Sequence, residues 1–111
     1  MLTPTKMTAY GYSCSAVAPR NTELQSLAKG AVAAIKAQSG YTYQYGPICS
    51  TIYQATGSSV DYVNDVIGAD YVFTSELRDT GNYGFVLPAS QILPSGKETY
   101  AGLRYLLLNM R

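Results

Sequence analysis

Thr74-Ser75-Glu76-Leu77-Arg78-Asp79-Thr80-Gly81-Asn82-Tyr83-Gly84-Phe85-Val86-Leu87-Pro88 follows directly on Tyr71-Val72-Phe73. The β-branched and aromatic run from Tyr71 to Leu77, flanked by turn residues, predicts a strand. Alternation along it places Val72, Thr74 and Glu76 on one face and Tyr71, Phe73, Ser75 and Leu77 on the other. A lone glutamate at a strand end is ordinarily an exposed charge or half of a surface ion pair, so composition alone gives Glu76 no chemistry.

Upstream, Asn21-Thr22-Glu23-Leu24-Gln25 opens a helix, with Asn21 or Thr22 as cap and Gln25 three residues after Thr22 as a capping box. Leu24, Leu27, Ala28, Ala31, Ala34 and Ile35 recur at helical spacing until Gly40 permits a left-handed stop. Tyr41, Tyr43 and Tyr45 alternate with Thr42 and Gln44, the pattern of a short strand with its aromatics on one face. Ser59 is placed to cap a short helix ending near Gly68. A last helix is expected from Ser95, with Glu98 completing a capping box and Tyr100, Leu103, Leu106, Leu107 and Met110 on one face. Helix, strand, short helix, strand, helix defines an α/β layer. No internal repeat or linker divides it.

The chain has 111 residues, 47% hydrophobic and 14% charged, with a net charge of +1, so it is built to fold or to pack. No basic run follows a phosphate backbone or an anionic lipid, so neither nucleic acid nor membrane is expected as a partner. No stretch approaches the roughly 20 apolar residues of a bilayer span, and Met1 to Met7 lack the apolar run of a secretion signal. Cys14 and Cys49 are too few for a structural zinc site and too far apart for a Cys-x-x-Cys pair. Their residue type alone favours two buried thiols.

The segment around Glu76 closely resembles the catalytic-glutamate stretch of zinc metallocarboxypeptidases of the carboxypeptidase A family. Ile52-Tyr53-Gln54-Ala55-Thr56-Gly57-Ser58-Ser59-Val60-Asp61 is similar to that family's mobile tyrosine loop and adjoining specificity pocket. The resemblance runs from about Tyr10 to Asn109. It implies the C-terminal part of a mixed-sheet zinc-exopeptidase α/β/α fold over residues 10–111, preceded by an unmatched leader over 1–9. Tyr10-Gly11-Tyr12-Ser13-Cys14 and Gly46-Pro47-Ile48-Cys49 resemble segments that some members join by a disulfide. The resemblance thus implies a Cys14–Cys49 bridge and an oxidising, extracellular compartment for the parent enzyme.

Carried over residue by residue, the resemblance makes Glu76 the general base that takes a proton from zinc-bound water and returns one to the departing amine. Tyr53 matches the tyrosine that swings over bound substrate. Val60 matches the pocket-floor residue, where an aliphatic side chain implies aromatic or aliphatic C-terminal residues as substrate. Thr74 resembles a pocket-lining residue and Phe85 an aromatic beside the substrate. Arg78 and Asp79 are read as fixing the backbone after the strand. Ser75 stands where an aromatic is common and Asn82 where an arginine is common. Peptide or protein C-termini are the implied partners, with the upstream part of the catalytic domain a further one. Zinc is the implied cofactor, yet the family holds it with two histidines and a glutamate, and this chain contains no histidine. The chain is therefore expected to hold no metal, to behave as a fragment, and to be inactive alone.

Overall fold

The computed structural model describes residues 4–78 and 86–111. Three short strands form one mixed sheet in the order β2-β1-β3. They are β1 (Thr5–Thr8), β2 (Gln44–Pro47) and β3 (Thr74–Glu76). β1 pairs parallel with β2, Thr5 opposite Gln44 and Met7 opposite Gly46, and antiparallel with β3, Thr5 opposite Glu76 and Met7 opposite Thr74. Parallel neighbours need a long crossover. Helix α1 (Asn21–Ser39) supplies it, packing on both β1 and β2. Residues 5–8, set by the sequence reading in an unmatched leader, thus form the middle strand.

α1 ends as its composition dictates: Gly40 takes φ 77° and its N–H donates to the Lys36 carbonyl at 2.8 Å. Its start departs from the expected capping box. Arg20 holds the cap position without a side-chain cap. Gln25 donates from Nε2 to Thr8 Oγ1 at 2.8 Å and to Asn21 Oδ1 at 3.1 Å. Gln25 thus ties α1 to β1 while keeping a local bond to Asn21, in place of the expected capping box with Thr22.

The remaining elements are shorter or shifted. Tyr41 precedes β2 and is exposed, Tyr43 is buried and Tyr45 is exposed, so the three tyrosines do not share a face. Pairing with β1 begins only at Gln44, and Tyr43 turns inward to another partner described below. Helix α2 (Ile48–Thr51) follows β2 directly. Helix α3 (Ser59–Tyr62) is capped one residue earlier than expected, Ser58 Oγ accepting from the Val60 N–H at 3.2 Å. A π-helical turn (Val63–Ile67) continues it to Gly68, which stops it at φ 76°. β3 is shorter than the run from Tyr71 to Leu77 because β1 offers partners only from Thr74 to Glu76. Tyr71 and Phe73 pack instead on Leu27, Ala31 and Leu106.

Helix α4 (Ile92–Asn109) begins three residues before Ser95, after a 3-10 turn at Ala89–Gln91. Pro94 lies in its first turn, where a missing N–H costs nothing. Ser95 and Glu98 are therefore inside the helix and buried, not capping it. The face turned to α1 is Ser95, Glu98, Gly102 and Leu106, whereas Tyr100, Leu103 and Leu107, expected on the packing face, are exposed. Small residues allow the approach. A Cβ at Gly30 would fall within the Tyr105 ring, and one at Gly102 would lie 2.9 Å from Ile35 Cδ1.

The second half of the core joins the Tyr10–Cys14 segment to residues 48–61. Met7, Ala9, Tyr10, Ala18, Leu24, Ile48 and Val60 form one apolar cluster. Cys14 and Cys49 are disulfide-bonded, with Cα atoms 5.0 Å apart and a sequence separation of 35. Asp61 adds three backbone contacts, accepting from the Gly11 N–H at 2.9 and 3.0 Å and the Tyr12 N–H at 2.9 Å. In the loop-entropy account, closing a loop of this length stabilises the fold by about 3–4 kcal/mol. Reducing the bridge in urea titrations followed by circular dichroism should lower the unfolding free energy by that amount. An unchanged midpoint would show that Asp61 and the apolar cluster already hold the loop.

Candidate functional site

Glu76 closes β3, and the pleat puts it on the same face as Thr74. Directly opposite them on β1 stand Thr5 and Met7. Thr5 is fully buried, and its hydroxyl has no hydrogen-bond partner among the described residues. Met7 belongs to the same apolar cluster as Val60, which is 6% exposed, and the half-buried Ile52, Ala55 and Val72 pack against that cluster. Thr74 and Glu76 therefore share a strand face, and Val60 belongs to the core bordering it. Tyr53 stands apart: it follows α2, its side chain is 62% exposed, and no hydrogen bond fixes its hydroxyl among the described residues. Its neighbour Gln54 is anchored, donating from Nε2 to the Tyr12 carbonyl at 2.7 Å. Phe85, Asp79 and Asn82 lie outside the described residues.

On the opposite face of β3 stand Ser75 and, just past the strand, Leu77, both exposed. Ser75 Oγ accepts from Lys6 Nζ at 2.6 Å, and Lys6 is only 4% exposed. Burial pushes the Lys6 ammonium below its ordinary value of 10.5. Among the described residues no carboxylate forms an ion pair with it. The polar pair behind Glu76 takes the place of the aromatic packing that the resemblance associates with position 75.

Two residues past Glu76 the chain is locked by a buried ion pair. Arg78 donates from Nε to Glu98 Oε1 at 2.8 Å and from Nη2 to Glu98 Oε2 at 2.7 Å, and the Tyr43 hydroxyl donates to Glu98 Oε1 at 2.8 Å. Glu98 is 0% exposed. Burial on its own raises the Glu98 carboxyl, but the hydrogen bonds from Arg78 and Tyr43 and the guanidinium charge hold it below its ordinary value. Arg78 also donates from Nη1 to Gln91 Oε1 at 3.0 Å and stacks 4.1 Å from the centre of the Tyr41 ring. The network joins the end of β3 to α4 and to the residues before β2. Sequence reasoning gave Arg78 the task of fixing the backbone but assigned Glu98 to a helix cap.

The donor set does not fit zinc. The sequence has no histidine, and both cysteines are in the disulfide. Among the described residues no three of His, Cys, Asp and Glu converge. Catalytic zinc takes three protein ligands.

The fold thus combines a mixed sheet crossed by α1, a carboxylate at the end of β3, and a loop carrying Tyr53 that is held by Gln54 and a disulfide. The family model for zinc carboxypeptidases matches residues 5–102, and the chain belongs to that family. Metallocarboxypeptidase A of Trichophyton rubrum is 53% identical over 96 residues, 86% of this chain and 23% of that protein. Carboxypeptidase A4 of Mus musculus is 49% identical over 105 residues, 95% of this chain and 24% of that one. The solved structure of bovine thrombin-activatable fibrinolysis inhibitor, in complex with tick carboxypeptidase inhibitor, superposes with a TM-score of 0.88 at 33% identity. It is covered over 95% of this chain and 35% of its own length. The chain thus spans a minor part of each relative it matches.

Two consequences can be measured. Glu98→Ala, which leaves the Arg78 guanidinium buried without its partner, should cost about 3–5 kcal/mol of unfolding free energy, and the double variant Arg78→Met with Glu98→Leu should recover most of it. For Lys6, the unfolded chain binds the extra proton between the lowered folded value and 10.5, so stability rises with pH there. Tyr10, pushed up to about 12 mainly by its hydrogen bond to Asp65, acts with the opposite sign above its ordinary 10.0, so the test belongs below that pH. Urea titrations below pH 10 should show stability rising with pH once the lowered Lys6 value is passed, by at most about 1.4 kcal/mol per pH unit, and Lys6→Met should flatten that rise.

Proposed function

We propose that residues 10–111 are the C-terminal portion of a metallocarboxypeptidase catalytic domain, supplying its general base and substrate pocket. The parent activity is removal of aromatic or aliphatic residues from peptide C-termini. Membership of the zinc carboxypeptidase family is the observation that carries this reading. Glu76 is the proton carrier, positioned on one strand face with Thr74. Val60 gives the pocket an aliphatic floor, with no acid to select basic termini. Tyr53, exposed and flanked by Gly57, is free to move over substrate. The extracellular parent compartment is supported by the disulfide.

The residues of this chain supply no donor set for zinc, so the isolated chain is inactive and needs the rest of a catalytic domain as partner. A second reading is favoured by the same mismatch: a non-catalytic module that holds peptide C-termini in the Val60 and Thr74 pocket. A peptide ending in Phe, incubated with the chain and zinc, should not be cleaved. With an upstream metallocarboxypeptidase fragment supplied, cleavage should appear and fall by about 10²-fold or more in Glu76→Gln. Turnover by the chain alone sinks the inactivity. Peptide binding without turnover, lost in Tyr53→Ala, favours the module.

A further inference from the structure

A polar row crosses the sheet on the face away from Glu76. Lys6 of β1 stands opposite Tyr45 of β2 on one side and opposite Ser75 of β3 on the other. Residues directly opposite share a face, so the three side chains emerge together. Lys6 Nζ and Ser75 Oγ are 2.6 Å apart. The two ends of that contact differ in exposure: Lys6 is 4% exposed, whereas Ser75 is open to solvent.

A serine hydroxyl is a poor nucleophile until a neighbouring base takes its proton. Direct transfer needs heavy atoms about 2.6–3.2 Å apart, which Lys6 and Ser75 satisfy. A lysine can act as that base only when it is neutral, and burial alone pushes the Lys6 ammonium below its ordinary 10.5. Its surroundings restore little negative charge. Tyr45 is the titratable group in register with it on β2. On α1, which packs on β1, Glu23 is bonded to Arg20 and Tyr71, and Lys29 and Lys36 are exposed. Glu76 lies on the other face of β3, and Glu98 is paired with Arg78. Once the ammonium loses its proton, the amine lone pair faces the Ser75 hydroxyl and accepts from it.

We infer that Ser75 and Lys6 form a nucleophile and general-base pair that reacts with activated acyl esters. Ser75 Oγ attacks the acyl carbonyl carbon while its proton passes to the Lys6 amine. The tetrahedral adduct then breaks its bond to the leaving alcohol, which takes the proton from Lys6, and the acyl group remains on Ser75 as an ester. The reaction uses neither Glu76 nor a metal, so its test is independent of peptide cleavage.

The probe is p-nitrophenyl acetate, added to the full chain over a range of pH and read by nitrophenolate release and by peptide mapping of the acetylated residues. Ser75 should be acetylated at least about 10²-fold faster than Ser15, which is also exposed. Its rate should rise with pH to a plateau, with a midpoint below 10.5. Lys6→Met should lower the Ser75 rate by about 10²-fold or more and remove its pH dependence, while acetylation of Ser15 and the far-ultraviolet spectrum stay unchanged. A Ser75 rate no greater than that of Ser15, a rate flat across pH, or an acetyl group carried by Lys6 in place of Ser75 would each overturn the inference. Those three outcomes are read on the unsubstituted chain, so they decide the matter even where Lys6→Met fails to fold.

Discussion

The ion pair of Arg78 with Glu98 is the constraint on which the placement of β3 depends. A three-residue strand has little hold of its own, and β3 carries the candidate base at its last position. The guanidinium two residues later reaches into the helical layer, meets a carboxylate with no exposure to water, and is held there by a two-pronged contact. Tyr43 and Gln91 complete the set, so helix, strand and the approach to β2 share one polar node. Such a pair contributes little net energy against an apolar replacement of equal shape. Its value here is positional, because the geometry of a bidentate pair tolerates little sliding of β3 against α4.

A second lock fixes the other side of the site. The disulfide, Asp61 and Gln54 hold the Tyr10–Cys14 segment against residues 48–61 at three separate points. They anchor the loop on both sides of Tyr53, whose hydroxyl has no hydrogen-bond partner among the described residues. Rigid ends around a free side chain suit a group that changes position when something binds. Glu76 has the opposite treatment, held in a ladder with a pinned residue close behind it.

What the sequence disclosed follows from how local each signal was. α1 was legible because its apolar spacing and its Gly40 stop depend on nothing outside the helix. The β3 run was legible as a strand, but its length was not, since that is set by how many residues β1 offers opposite it. Thr22 with Gln25 and Ser95 with Glu98 both had the spacing of a capping box, but each helix starts before its expected cap, at Asn21 and at Ile92, and the second residue of each pair gains a distant partner. Gln25 went to Thr8, and Glu98 to Arg78 and Tyr43. Lys6 escaped notice because it lies in a stretch without obvious pattern, and only the parallel pairing of β1 with β2 reveals that it is interior. The site residues came from resemblance, not periodicity, which cannot tell a working carboxylate from a surface one.

The close seam between α1 and α4, where Gly30 admits the Tyr105 ring and Gly102 admits Ile35, has a consequence for biosynthesis. The ribosome releases α1 well before α4, at about 5–20 residues per second, so for some seconds Leu27, Ala31 and Ile35 have no helix to cover them. A glycine at the centre of that waiting surface also weakens α1 as a free helix. The nascent chain therefore carries an uncovered apolar helix face until α4 has been made.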